Sequence, residues 1–514
     1  MSFMQKLRQV FGAQDLTVGS PLKGLLLFSV PLLIGNLTQQ MYNTVDAYIV
    51  GNYTTDGVSA LAAVGNAGPI MNLLLVLFMG ISTGASILSA QYFGAKERDS
   101  LNKVIGCSIF LIIVSGLIMM VAGYFLTPML IGLTNPASEL IGRYATEYLQ
   151  IYFLGIVGCG LYNIIAGVLR GLGDSVYPLI FLIVACVMNI FLDIYFVRNL
   201  KLEVAGAAWA TIISQGVSGI LCLIRLCMLR SVCDVKLKYT VKPDLPLMSK
   251  LAKLGLPSGI TQAIFSTSAI IVQNLTNSLG PAMVAANTVV MRVDGFAMMP
   301  NFTFGTAATT YVGQNIGARK AERLKQGIPA MLRLGLTCSV IMVTAILLFG
   351  QNLMTMFISP AESYASALAK ALADGMAETD AIAAAETARF TAAQAIEIGV
   401  KGLRTLAVGY ICFSVTNVLQ GSMRGAGETV IPMYCSIFTT VILRMPLAYL
   451  LAHLTRNETW INGTPDAIYF SLLTAWVVGM LIAIITYRMG WWKRKLPDDL
   501  RQAMSISHHS KKEA

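Results

Sequence analysis

Charged side chains are scarce in this sequence. They make up 12% of the 514 residues, whereas an average soluble domain contains about 25%. Hydrophobic residues account for 55%, and the mean hydropathy is +0.67. This balance excludes a soluble globular protein and predicts a polytopic membrane protein. The net charge of +11 does not predict a nucleic-acid partner, because the basic residues crowd into the connections on one side of the apolar runs.

Histidines and closely spaced cysteines are also scarce. The three histidines are His453, His508 and His509, and the nine cysteines include no Cys-x-x-Cys pair. An odd number of dispersed cysteines predicts neither a disulfide framework nor a zinc site. The sequence therefore offers no nucleophile–base or metal-ligand set for catalysis. We expect no enzymatic activity and no cofactor.

Apolar runs long enough to cross a membrane are what the sequence has in abundance. A spanning helix needs about 20 mostly apolar residues, and twelve segments meet this requirement. The predicted spans, numbered one to twelve, cover residues 25–50, 58–90, 104–126, 143–169, 176–198, 204–229, 251–279, 283–315, 328–350, 400–423, 430–452 and 466–488.

The basic residues predict the orientation of these spans. Lys and Arg concentrate in cytoplasmic connections of membrane proteins. With a cytoplasmic N-terminus, 27 of the 37 Lys and Arg residues fall inside and 8 fall outside. Both termini are therefore predicted to be cytoplasmic, in a cell membrane. The predicted inside segments are 1–24, 91–103, 170–175, 225–253, 316–333, 424–429 and 488–514.

The chain contains an internal repeat. The motif Gln-x-x-Gly-Ala at 91–95 recurs at 314–318, an offset of 223, and the motif Arg-Gly-x-Gly-acidic at 170–174 recurs at 424–428, an offset of 254. Parallel repeats of this kind place a substrate site near the midplane between two halves. The difference between the offsets measures an insertion between spans nine and ten, at 361–399, which is rich in Ala and acidic residues.

The predicted fold class is thus all-α, with twelve transmembrane helices in two pseudo-symmetric six-helix lobes. We expect two short helices in the insertion, separated at Asp374-Gly375, and favour a solvated hairpin over a lid. The predicted domains are a cytoplasmic segment at 1–24, a first lobe at 25–229, a cytoplasmic linker at 230–250, a second lobe at 251–488 that includes the extracytoplasmic insertion, and a basic cytoplasmic tail at 489–514.

Two acids lie inside apolar spans of the first half. Asp46 lies about one helical turn from the outer end of span one, and Asp193 lies at a similar depth in span five. Asn189 precedes Asp193 by one turn, and Thr211 in span six reaches the same depth. Because an acid in hydrocarbon is costly, it marks a pathway or a relay. These oxygen ligands suit a small cation or a shared proton, although Thr211 taken alone more often bonds a neighbouring helix.

The second half has no matching acidic pair. The repeat aligns Asp193 with Leu447, and the buried charges of this half are Arg292, Asp294 and Arg444. Asp294 in span eight and Arg444 in span eleven lie at similar depths. We favour a structural ion pair between them, because an isolated buried charge is expensive.

These features resemble the multidrug and toxic compound extrusion (MATE) family. The resemblance rests on twelve spans in two sixes, on Val45-Asp46 with Gly51 at the end of span one, and on the two repeated motifs. It covers the whole chain apart from the insertion and the tails. It implies that Asp46, Asn189, Asp193 and Thr211 form the first-lobe cation site of the DinF-like branch.

One departure concerns the second lobe. Another branch of the family places acids in spans seven and ten, whereas here span seven offers Gln262 and Gln273 and span ten has no acid in its apolar part. The resemblance therefore implies cation coupling in the first lobe. No resident metal is expected beyond Na⁺ at that site.

The function that the resemblance implies is secondary active antiport. The chain would export amphipathic, cationic organic compounds in exchange for Na⁺ or H⁺ by alternating access, as a monomer in the lipid bilayer and without a nucleic-acid partner. The alternative is a flippase for lipids or lipid-linked oligosaccharides. Flippases of this superfamily often carry two extra spans and a strongly cationic central cavity, neither of which is evident in the sequence.

The predicted orientation can be tested by labelling single cysteines in a chain whose native cysteines are replaced. A cysteine at Lys242 in the linker should react with a membrane-impermeant maleimide in inside-out vesicles and stay unlabelled in right-side-out vesicles. A cysteine at Ser363 in the insertion should show the opposite pattern. Labelling of the Lys242 position from the outside would reverse the assignment, because basic linkers stay on the cytoplasmic side.

Overall fold

The computed structural model describes residues 13–132, 134, 138–458 and 460–505, and within these ranges it is built from helices and connecting turns without a β-strand. His508, His509, and parts of the predicted terminal segments 1–24 and 489–514 lie outside the described residues. The α-helices are α1 Pro21–Tyr53, α2 Gly57–Ala95, α3 Arg98–Gly132, α4 Glu139–Leu154, α5 Ile156–Gly171, α6 Val176–Asp193, α7 Glu203–Met228, α8 Leu237–Val241, α9 Leu245–Ser278, α10 Pro281–Gly317, α11 Ala321–Phe357, α12 Pro360–Ala373, α13 Glu378–Gly425, α14 Val430–Ile437, α15 Met445–Leu454, α16 Asp466–Met489 and α17 Asp498–Ser505.

The described helices confirm the all-α membrane fold. Ten helical segments are long and apolar enough to cross a membrane, and the pair α4–α5 makes an eleventh. Helix α2, which is 39 residues long, covers the second predicted span. Every predicted span therefore coincides with a long helical segment, and the twelve-helix count agrees with the prediction.

Three spans are less regular than the sequence predicted. The fourth is bent by 55° between α4 and α5. The fifth continues from α6 into a π-helical segment at Ile194–Asn199, and the eleventh contains another at Phe438–Arg444 between α14 and α15. The length of an apolar run does not show how its residues are hydrogen-bonded. It therefore predicts neither a bend nor a π-helical segment. π-Helical turns are rare and are often found at functional sites.

Each lobe has its own hydrophobic core. One core extends through the first half from Ile49 to Cys233 and includes Leu247, Leu251 and Leu254 at the start of α9. A second core occupies the second half, from Val272 to Trp476. A third cluster joins residues before α1 to α10, α11 and the segment after α16, with Leu16 and Trp492 fully buried in it. Between the lobes, α2 packs against α9 and α10.

The insertion consists of two helices, but the second is not short. Helix α12 covers its first part, and α13 begins at Glu378 and runs without a break through the predicted tenth span to Gly425. The two helices of the insertion pack mainly on each other, and Ala371, Ala381 and Ala385 are buried between them. The segment from Glu378 to Gly425 contains no proline, so no residue in it forces the helix to end near position 400.

The linker is held on the first lobe by polar contacts. Arg98 at the start of α3 forms an ion pair with Asp234 at 2.9 Å. The Asp234 amide donates to Asn102 Oδ1 at 2.7 Å, and the Tyr239 hydroxyl donates to Asp99 at 2.7 Å. These bonds hold residues between the two lobes against the first one. The domain boundaries stay predictions.

Removing the insertion should leave most transport intact. Ser359 and Ala392 line the same groove of about 710 Å³, so the chain between them leaves α11 and returns close to its starting point. Deleting residues 360–391 and joining the ends with a short Gly-Ser linker should preserve folding, because the removed helices bury little of either lobe core. Export by the deleted chain should be compared with export by the full chain at equal membrane content. Complete loss of export in a well-expressed deletion would favour a lid instead.

Candidate functional site

Three helices of the first lobe bring the four predicted polar residues together. Asp46 lies on α1, Asn189 and Asp193 lie on α6, and Thr211 lies on α7. Helix α6 packs against both α1 and α7. Asn189 and Asp193 point to the same side of α6, because residues four apart on a helix are neighbours.

Three of these side chains are buried, and Asp46 is half-buried. Asn189 and Asp193 are 0% exposed and Thr211 is 7% exposed. Within the described part of the chain, Asp46 Oδ1, both oxygens of Asp193, both amide atoms of Asn189 and the Thr211 hydroxyl have no hydrogen-bond partner of ordinary geometry. Buried polar atoms in proteins nearly always have partners. Several such atoms in one place therefore indicate a site for something that the protein itself does not supply.

The carboxyl groups of Asp46 and Asp193 are direct neighbours inside this site. An ionised carboxylate can only accept hydrogen bonds. Two ionised carboxylates therefore cannot bond each other. A proton on one acid would supply a donor, and a cation between them would bind oxygens of both. Either would relieve the repulsion of two negative charges in a medium that screens them poorly.

Two tyrosines that the sequence reasoning missed complete the walls of the site. Tyr42 is 6% exposed and lies one turn before Asp46 on α1, and Tyr148 on α4 is 2% exposed. Both phenol rings lie beside Asp46, Asp193 and Thr211. The spacing of four residues between Tyr42 and Asp46 was a usable signal. Tyr148 comes from a different span, and no local pattern pointed to it.

The depth of the acids differs slightly from the prediction. Helix α1 continues to Tyr53, which places Asp46 seven residues, or about 10 Å, from its predicted outer end. Asp193 is the last residue of α6, and the π-helical segment Ile194–Asn199 begins directly after it. The wider turn alters the helical register just beyond the acid. Asp193 thus lies where the backbone of span five departs from regular α geometry.

The second lobe holds a different polar cluster. Asp294 on α10 is 5% exposed and accepts a short hydrogen bond from the Tyr410 hydroxyl on α13. Arg444 is near enough to interact with Asp294 electrostatically, but no ion pair within 4.0 Å joins them among the described residues. The predicted contact is therefore not formed in this structure, and Tyr410 takes the position next to the carboxylate instead.

Arg444 does not have its full set of partners in that cluster. Its buried Nε atom has no hydrogen-bond partner among the described residues, and the same is true of the Tyr469 hydroxyl. Arg444 ends the π-helical segment of span eleven, and Tyr469 lies on α16. The two lobes therefore carry different chemistry at their centres: two acids in the first, and one acid near one guanidinium in the second.

Nothing in the described residues resembles a transition-metal site. No group of three or more His, Cys, Asp or Glu side chains is arranged to hold a metal ion there. The first-lobe site has two carboxylates, and its other ligands would be amide, hydroxyl and phenol oxygens. Such oxygen ligands are typical of hard, weakly held cations.

Comparison with known proteins identifies the family. The family model described as MatE matches residues 31–195, 257–377 and 387–450, well over half of the chain. The chain belongs to the MATE family. The resemblance predicted from the span-one motif and the repeats is thereby confirmed, and the protein is a multi-pass membrane protein of a multidrug efflux transporter family.

Individual MATE relatives match over most of the chain. The probable multidrug resistance protein YoeA of Bacillus subtilis (strain 168) is 28% identical over 482 residues, which cover 92% of this chain and 94% of that protein. DNA damage-inducible protein F of Escherichia coli (strain K12) is 25% identical over 341 residues, which cover 66% of this chain and 73% of that protein.

Solved structures share the MATE fold. One is described as the outward-facing conformation of a multidrug resistance MATE family transporter of the MOP superfamily. It has a TM-score of 0.79 at 23% identity and covers 93% of this chain and 97% of its own. A second, from Pyrococcus furiosus, is described as having a reversed binding-pocket polarity that suggests a different function. It has a TM-score of 0.79 at 22% identity and covers 93% of this chain and 97% of its own.

The second-lobe cluster should act mainly on stability. Asp294→Asn keeps an acceptor for Tyr410 but removes the negative charge that offsets Arg444, which should cost about 1–3 kcal/mol. We expect lower expression and a lower melting temperature in detergent. Arg444→Gln added to Asp294→Asn should recover part of the loss, because it removes the uncompensated charge. Normal stability of Asp294→Asn together with lost transport would assign this acid to the transport cycle instead.

Proposed function

We propose that this MATE protein is a secondary antiporter that couples export to Na⁺ or H⁺ through Asp46 and Asp193. The observation that carries this proposal is the pair of adjacent carboxylates, one half-buried and one fully buried. Three of their four oxygens are buried without a donor among the described residues. A structural pair of acids would be expected to bond neighbouring donors, because burial of bare charge is costly. A pair that binds and releases a positive charge must leave its oxygens available.

The residues around the pair fit either coupling ion. For Na⁺, the carboxylates, the Asn189 amide oxygen and the Thr211 hydroxyl would supply hard oxygen ligands. For H⁺, one carboxyl would carry the proton and donate it to the other. Both ions neutralise the same excess charge, so the geometry supports coupling without selecting the ion.

The coupling can be connected to movement through α1. This helix carries Asp46 and contains Pro31 within its length. Proline removes a backbone hydrogen bond and weakens a helix at that point. Loading or unloading the site would change the attraction between α1 and α6. The part of α1 beyond Pro31 could then shift relative to the rest of the lobe.

The proposed substrates are amphipathic organic cations, expelled across the cell membrane by a monomer. This proposal is supported by the multidrug names of the relatives. Flippase activity should be measured as well, because the Pyrococcus furiosus neighbour has a similar fold and is described as suggesting a different function. Fold alone does not determine the substrate.

Replacing the acids tests the coupling directly. Asp46→Asn keeps the shape of the side chain but removes its charge. It should abolish gradient-driven export of a fluorescent organic cation from proteoliposomes while leaving folding and some substrate binding. Asp193→Asn should have a similar or slightly milder effect. Export should be measured separately under a Na⁺ gradient and under a pH gradient, which identifies the ion.

A matched control is Asp380→Asn, which removes an exposed acid from α13 in the insertion. It should export at the rate of the unaltered protein. If Asp46→Asn also exports at that rate under the same gradient, coupling through the first lobe is wrong. Lipid translocation by the unaltered protein, without export of organic cations, would favour the flippase.

A further inference from the structure

The repeated motif Gln-x-x-Gly-Ala lies where the two lobes meet. Its first copy ends α2, and its second copy ends α10. Both copies are at the predicted cytoplasmic end of the lobes, far along the chain from Asp46 and Asp193. The coupling proposal gives neither copy a role.

Each glutamine bonds the opposite lobe. Gln91 Nε2 donates to the Gly425 carbonyl at 3.0 Å, and Gln314 Nε2 donates to the Gly171 carbonyl at 2.9 Å. Gln91 and Gln314 are equivalent in the repeat, and so are Gly171 and Gly425, which belong to the second repeated motif. The two hydrogen bonds are therefore one contact made twice, once in each direction across the boundary.

The glycines of the same motif allow the close approach. A Cβ atom built on Gly94 would lie 1.9 Å from the carbonyl oxygen of Gln314, and one built on Gly317 would lie 1.9 Å from the carbonyl oxygen of Gln91. No side chain fits at such a distance. The spacing of three residues thus places a glycine of each lobe against the backbone of the glutamine that bonds across.

The accepting carbonyls suit a reversible contact. Gly171 is the last residue of α5 and Gly425 is the last residue of α13. Carbonyls in the last turn of a helix have no partner within the helix. They can bond a glutamine amide when the lobes are together and water when the lobes are apart. Breaking these bonds therefore costs far less than breaking a bond in a helix interior.

The segment before α1 strengthens one half of the contact. The Leu16 amide donates to Gln314 Oε1 at 3.0 Å, and Asn315 Nδ2 donates to the Leu16 carbonyl at 3.2 Å. Arg323 Nη2 donates to the same carbonyl at 2.9 Å. Gln314 is 0% exposed, and its amide group bonds through both its nitrogen and its oxygen. The repeat gives two equivalent contacts, and the one made by Gln314 is reinforced by the additional bonds to Leu16.

We propose that Gln91 and Gln314, with the carbonyls of Gly425 and Gly171, form a reciprocal latch that holds the predicted cytoplasmic end of the transporter closed. Release of both bonds is the step that lets this end open. The two glutamines are positioning residues: they set the balance between the closed and open states without touching the coupling ion. The latch does not depend on the coupling role of Asp46, and the two proposals can fail separately.

The test measures the distance between the lobes at this end. Spin labels on Glu97→Cys and Glu322→Cys report it in a reconstituted chain whose nine native cysteines are replaced. Gln91→Ala should raise the ratio of open to closed populations about fivefold, which corresponds to ~1 kcal/mol. Gln314→Ala should raise it further because it also loses Leu16. The double variant should exceed either single variant.

A second pair of variants tests the same latch by steric means. Gly94→Ala and Gly317→Ala should each shift the distance distribution toward the open state, because the added methyl group meets a backbone oxygen across the boundary. Gly350→Ala is the control, since a Cβ there meets nothing within 4 Å. Gln273→Ala is the glutamine control, since its side chain bonds Asn277 within its own helix.

Three outcomes would overturn the latch. The first is an unchanged distance distribution in the double glutamine variant. The second is a shift in Gln273→Ala as large as that in the double variant. A shift in the glycine variants without any shift in the glutamine variants would also reject it, since it would show packing without a hydrogen-bonded latch. The export rate of Asp46→Asn tests the coupling proposal and does not test the latch.

Discussion

The repulsion between two carboxylates that water cannot screen is the constraint on which the first lobe depends. Asp46 and Asp193 are neighbours, and the oxygens of Asp193 are fully buried. In a medium of low dielectric constant, two such charges repel strongly. A cation between the acids, or a proton on one of them, would remove this repulsion. The proposed coupling role supplies such a charge.

The other polar residues of the site could contact a positive charge placed between the two acids. Asn189, Thr211 and Tyr42 contribute polar atoms that have no partners of their own among the described residues, so a bound ion would not compete with existing bonds. The second lobe compensates its buried negative charge differently. There Asp294 accepts from Tyr410 and lies within electrostatic range of Arg444, so its charge is compensated by the protein. The asymmetry of the lobes is an asymmetry in how buried charge is neutralised.

Most of the site residues and the two-lobe fold could be predicted from the sequence. The fixed rise per residue of a helix converts the position of a residue within a span into its depth in the membrane. Span ends and a rise of about 1.5 Å per residue placed Asp46, Asn189 and Asp193 at similar depths, and the repeat predicted two lobes. Hydrophobic patterns could not indicate which side chain from another span would join them, and Tyr148 was missed for that reason.

Backbone irregularities were equally invisible in the sequence. The π-helical turn after Asp193 and the bend between α4 and α5 depend on packing between helices. Asp294 and Arg444 lie within electrostatic range of each other but form no salt bridge within 4.0 Å among the described residues, because equal depth in two spans does not fix the distance between two side chains. Tyr410, from a third helix, lies against the carboxylate instead.

Helix α1 physically joins the two ends of the molecule that the proposals concern. Near its predicted outer end it carries Asp46, and residues before its first turn bond Gln314 and Arg323 of the second lobe. Between these points, Asn36 Nδ2 donates to Thr303 Oγ1 on α10 at 3.0 Å, and Pro31 interrupts the backbone bonding. A rigid rod would transmit any movement at the ion site to the lobe boundary. A helix weakened at Pro31 transmits only part of it, so the proposed ion site can change before the boundary does. Such an order would suit the proposed alternating access, because the two ends of an alternating-access transporter must not open together.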